Sequence, residues 1–95
     1  MAALALGPIS VSVDADADAF YYYTTGVLNC CCGTDLDHAV TAVGYNREAN
    51  PPYYIVRNSW GPDWGESGYI RLGITAGEGI CGVQMEPVYP NLLIK

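Results

Sequence analysis

Only four of the 95 residues are basic, against ten acidic ones, and the formal net charge is −6. Arg47, Arg57, Arg71 and Lys95 are scattered along the chain. They form no basic stripe able to track a phosphate backbone, so no nucleic-acid partner is expected. An acidic surface repels anionic membranes and tolerates cationic substrates. Long apolar runs are also missing: nothing approaches the roughly 20 residues of a membrane span, and no membrane partner is expected. Met1 to Leu6 has neither the length nor the basic start of a signal-peptide core, so any secretory signal would lie outside this chain. Histidine is represented only by His38. With no second histidine at ligand spacing, and Cys30, Cys31 and Cys32 too crowded to form a tetrahedral set with Cys81, neither a metal nor another cofactor is expected.

A calcium loop is excluded on similar grounds. Asp14, Asp16 and Asp18 have the spacing of its opening, but Ala19 stands where the turn glycine belongs and Thr25 where the glutamate belongs. The segment reads instead as a solvated acidic turn. Cysteine is present at four positions, an even number that permits an oxidising compartment. Three adjacent cysteines cannot all pair with one distant partner, so at most one long-range bridge is expected.

What remains is a globular composition, 51% hydrophobic, 12% aromatic and 15% charged. That balance argues against disorder, and the length suits one small domain of marginal independent stability. Ile9, Val11 and Val13 alternate with serines, the period of a half-buried strand. Residues 14–25 read as a short helix or an irregular turn. HAVTAVGY (38–45), YYIVR (53–57) and YIRLGI (69–74) read as strands, and a last extended segment is expected from about Ile80 to Tyr89, with Pro87 and Pro90 marking bends or an edge. The default architecture is an open antiparallel barrel or sheet.

The polar stretch from Asn46 to Pro52 joins two of these strands as a hairpin. With its loop centred near residue 48, partner numbers sum to about 96, and His38 falls opposite Asn58, a separation of roughly 5 Å between Cβ atoms. A bulge would slip this register by one residue. An amide beside the sole imidazole matters because a working base must be fixed in tautomer and direction.

LDHAVTAVGY followed by YYIVRNSWGPDWGESGYIRL resembles the histidine and asparagine signatures of papain-like cysteine proteases (family C1, the cathepsins and papain). GPISVSVDA upstream and GICGVQMEPVYP downstream agree with the same pattern. The resemblance runs from about Leu4 to Pro90. It implies an α+β, papain-like fold, with residues 1–95 as the β-rich, C-terminal right-hand domain, an open antiparallel barrel without the helical left-hand domain.

By that resemblance His38 is the catalytic base, partnered in the family by a cysteine thiolate, and Asn58 orients its ring. Trp60 would cover their hydrogen bond, whereas Trp64 reads as core packing. The resemblance also implies a Cys32–Cys81 disulfide, or Cys31–Cys81, with the Cys-Gly-Thr-Asp-Leu-Asp-His spelling favouring Cys32. Closing that loop would contribute roughly 4 kcal/mol on the chain-entropy model. The other two cysteines would be free or pair with the other half of the enzyme. Ser12, Leu36, Ala39 and Glu86 would line a substrate pocket, with the Glu86 carboxylate at its floor suited to a guanidinium.

The family's nucleophile belongs to a Cys-Gly-Ser-Cys-Trp context that this chain does not contain. The expected parent activity is cysteine-type peptide-bond hydrolysis through a thioester, on a peptide or protein substrate, in a lysosomal, vacuolar or extracellular setting. The chain alone is expected to be inactive without the N-terminal half. The alternatives are a non-catalytic peptide- or protein-binding module and the light chain of a two-chain protease.

Overall fold

A computed structural model describes residues 8–75 and 77–85. Five strands form one sheet in the order β1-β3-β4-β5-β2: β1 Ile9–Val13, β2 Val27–Leu28, β3 His38–Asn46, β4 Tyr53–Arg57 and β5 Tyr69–Gly73. The sheet is not closed, because β1 and β2 lie at its two edges. The β1–β3, β3–β4 and β4–β5 pairs are antiparallel, and the β2–β5 pair is parallel. The only α-helix among the described residues is α1, Asp18–Tyr21.

Period-two burial explains why these segments form strands. Val11 and Val13 of β1, Val40 and Ala42 of β3, Val56 of β4, and Ile70 and Leu72 of β5 all point into one core. Full burial of each of the larger side chains contributes about 1.5–3 kcal/mol. Phe20 is also fully buried there, and this anchors α1 although its N-terminus has no side-chain cap.

The hairpin register differs from the expected one. Thr41 faces Arg57 and Ala42 faces Val56; a bulge at Val43 then shifts the ladder so that Tyr45 faces Tyr54. Partner numbers therefore sum to 98 and then 99, because β3 runs one residue further, to Asn46, and the turn centres later. His38 lies beyond the part of β3 that pairs with β4, and its Cα partner is Val13 of β1. A two-residue slip preserves the face on which each side chain lies. His38 and Asn58 consequently remain on the same side of the sheet.

Two other segments depart from expectation. Val27–Leu28 forms a strand too short to register as a periodic pattern. The start of the expected extended segment is instead a single 3-10 turn, Ile80–Gly82, followed by further turns through Met85. Positive φ at Gly79, Cys81 and Gly82 prevents a strand there. A Cβ on Gly82 would stand 2.7 Å from Leu36 Cδ2, so close packing requires glycine as well. The remainder of that segment, including Glu86, Pro87 and Pro90, lies outside the described residues.

Candidate active site

His38 opens β3 and Asn58 follows the last residue of β4, so both project from the ends of strands on the core face. The backbone of Asn58 is held by the next turn, its N–H donating to Gly68 O at 2.9 Å. Gly68 has φ +94°, and a Cβ there would come 3.3 Å from Gly61 O. The turn geometry that fixes Asn58 therefore depends on glycine.

His38 Nε2 lies 2.8 Å from Asn58 Oδ1. The same oxygen accepts the Ser59 backbone N–H at 2.7 Å. An amide N–H can only donate, so the atom facing Ser59 is the carbonyl oxygen, and His38 Nε2 must donate to it. In the neutral ring the lone pair is then on Nδ1, which makes no hydrogen bond among the described residues. The arrangement presents a base with its tautomer and direction already set.

Trp60 lies against the His38 ring. Its ring stacks on His38 with centroids 5.1 Å apart and planes 25° apart. Phe20 meets Trp60 edge-on at 5.6 Å and lies tilted by 31° against Trp64 at 5.2 Å. Trp64 also donates from Nε1 to Tyr21 O at 3.1 Å. The indole face displaces water from one side of the His38 ring, which favours its hydrogen bond to Asn58. One group in the cluster is left open: Asn58 is 6% exposed, and its buried Nδ2 has no acceptor among the described residues. Such an orphan donor costs about 1–3 kcal/mol.

Ser12 and Ala39 are Cα partners across β1 and β3, on the face opposite His38. Ala39 borders a hollow of about 250 Å³ that Thr41, Arg57 and Asn58 also line. Leu36 packs at Gly82, beside the Met85 sulfur. Glu86 lies outside the described residues. Cys32 is bonded to Cys81, and Cys30 to Cys31. The second bridge corrects the expectation that two cysteines stay free or pair elsewhere: no free cysteine is present.

Sequence reasoning missed the roles of Phe20 and Tyr21, which connect α1 to both tryptophans. The only signal was the aromatic run 20–23 after an alternating Asp-Ala stretch. It also missed a polar cluster on β5. Arg71 donates from Nε and Nη2 to Glu66 at 2.9 and 2.7 Å, and the same carboxylate accepts from Thr25 Oγ1 and Gly26 N. The Arg71 hydrogen bonds hold the Glu66 carboxyl down to about 2 and outweigh the opposing effect of partial burial, with smaller contributions in the same downward direction from Thr25 and Gly26.

The model of the papain family of cysteine proteases matches residues 1–91. Cysteine proteinase RD21A of Arabidopsis thaliana is 50% identical over 90 residues, which cover 93% of this chain and 20% of that protein. Vignain of Ricinus communis is 48% identical over 93 residues, 95% of this chain and 26% of its own length. The bromelain protease of Ananas comosus, solved in complex with the E64 inhibitor, superposes with a TM-score of 0.88 at 49% identity, covering 95% of this chain and 43% of bromelain. This chain belongs to the papain family of cysteine proteases, and its open β-rich sheet is the papain-like fold without the helical domain. It spans about a fifth to a quarter of the length of those curated relatives.

Proposed function

We propose that this chain supplies the histidine and asparagine part of a cysteine endopeptidase site that hydrolyses peptide bonds through a thioester acyl-enzyme. The observation that carries the reading is the His38 Nε2–Asn58 Oδ1 bond under Trp60, which leaves Nδ1 open as a base. In this reading Nδ1 takes the proton of a cysteine thiol, and the thiolate attacks the scissile carbonyl. The imidazolium returns that proton to the leaving amine. His38 then deprotonates the water that cleaves the thioester, and Asn58 keeps the ring in line throughout. The nucleophile is not among this chain's four cysteine sulfurs, all of which are in disulfides. It would come from an N-terminal half, and this chain alone would be inert.

The test joins this chain to the thiol-bearing half of a complete relative and follows a fluorogenic peptide. The expected result is turnover that His38→Ala lowers by about 10³-fold or more, in line with removal of the base of a nucleophile–base pair. Turnover that survives His38→Ala overturns the reading. Turnover by the isolated chain that His38→Ala abolishes overturns its inertness.

Ser12, Leu36, Ala39 and Glu86 form the wall of a substrate pocket in this reading, with Glu86 pairing a guanidinium. In the same fusion Glu86→Ala should lower cleavage of an Arg-containing peptide about tenfold relative to a Phe-containing one, since a charge-assisted bond contributes about 1.5–3 kcal/mol. Equal loss on both peptides refutes that assignment. The proposed setting is lysosomal, vacuolar or extracellular; the disulfides support an oxidising compartment. No helix among the described residues is long and apolar enough to cross a membrane.

A further inference from the structure

Beside the His38–Asn58 pair is a hollow of about 550 Å³ framed by Tyr21, Trp60, Asp63 and Trp64. Trp60 and Trp64 meet at an interplanar angle of 83° with centroids 5.4 Å apart, which makes an aromatic corner. Tyr21 stands 5.6 Å from Trp60 and closes a third side. These rings are far from fully covered: Tyr21 is 56% exposed and Trp60 38%. Asp63, also exposed, is the only charged residue in the frame. Arg57 lines a different hollow, bounded also by Asn58, Ser59 and Gly61.

From this frame we infer that the hollow binds an arginine side chain of a peptide ligand, with the guanidinium stacked on the indoles and paired with Asp63. The chemistry excludes the nearest competitors. A purely apolar side chain would cover the indoles but make no bond to the exposed Asp63 carboxylate, which would stay hydrated. A sugar needs several fixed donors and acceptors at its rim, but the Trp64 Nε1–H is already spent on Tyr21 O. An anion would meet the Asp63 charge in a chain of net charge −6. A planar cation satisfies both features, because it stacks on aromatic faces and forms directed bonds to a carboxylate. Arginine is favoured over lysine, whose ammonium is a more strongly hydrated point charge.

The binding step stands apart from the proteolytic reading. Only the corollary that the bound arginine neighbours the cleaved bond rests on it. Trp60 and Trp64 are the chain's two tryptophans, so selectively excited indole fluorescence, followed at fixed pH because Trp60 also stacks on His38, reports on this hollow. The oxidised chain is titrated with N-acetyl-arginine amide and, separately, with N-acetyl-norleucine amide. Expected is a saturable change with arginine at about fivefold lower concentration than with norleucine, matching about 1 kcal/mol of cation–π and charge attraction. Asp63→Asn should erase that preference, and Asp63→Glu should retain it. Both substitutions fall at an exposed turn position, so neither disturbs the core. Arginine and norleucine within twofold of each other, or a preference that survives Asp63→Asn, overturns the inference. Because no turnover is measured, failure of the peptidase fusion and failure of this titration are separate results.

Discussion

Two polar constellations sit on the same sheet, and they are finished to different degrees. At Glu66 both carboxylate oxygens are engaged: Oε1 accepts from Arg71, and Oε2 from Arg71, Thr25 and Gly26. At His38 and Asn58 one hydrogen bond sets the ring direction, while among the described residues His38 Nδ1 makes none and Asn58 Nδ2 has no acceptor. The first cluster spends its valences on holding β5 to the segment around Thr25. The second keeps a base open and carries a local energetic cost, which is the pattern expected where structure has been traded for chemistry.

The contrast can be broken from either end. Asn58→Ala in a complete enzyme should lower kcat by about 10–100-fold, because ring orientation and tautomer are lost. Folding stability should change by no more than about 1 kcal/mol, because the substitution also removes an orphan donor. A stability loss well beyond that, measured by urea denaturation, would make Asn58 a structural residue. Glu66→Ala should do the opposite, costing about 1–2 kcal/mol of stability by leaving Arg71 half-buried without its partner, with kcat unchanged. Loss of activity at unchanged stability would reverse the assignment.

A smaller effect follows from acidification. The Glu66 carboxyl, held down by Arg71 from its ordinary 4.5 to about 2, stabilises the fold fully above about pH 4.5, and that contribution is lost as pH falls through about 2. Solvent screening at this partly exposed pair limits it to about 1 kcal/mol. The difference in urea midpoint between wild type and Glu66→Gln should therefore shrink between pH 5 and pH 2. A constant difference would separate the ion pair from stability.

Much of this contrast was legible in the chain, but unevenly. The strand holding Ile9, Val11 and Val13 follows from alternation, and the strand Tyr53–Arg57 from its run of aromatic and β-branched residues after a turn-forming loop. The common face of His38 and Asn58 followed from a register that was wrong by two, because face depends only on parity. The bulge at Val43 had no local signal, since HAVTAVGY is apolar on both sides of it. The turn at Ile80–Gly82 was misread because its apolar letters suggested a strand, while the glycines around it specify positive φ. Glu66 was invisible as the hub of a cluster because its partners Thr25, Gly26 and Arg71 are brought together only by the parallel β2–β5 contact.

The nine residues of β3 have one further use. His38 begins the strand and Asn46 ends it, so the Arg47–Pro52 connection sits roughly 25 Å from the imidazole at about 3.3 Å per residue. That solvent-facing turn is a handle remote from the reacting end. A dye, an affinity tag or a lineage-specific insertion placed at Arg47 or Glu48, both exposed, would travel with the site without touching it.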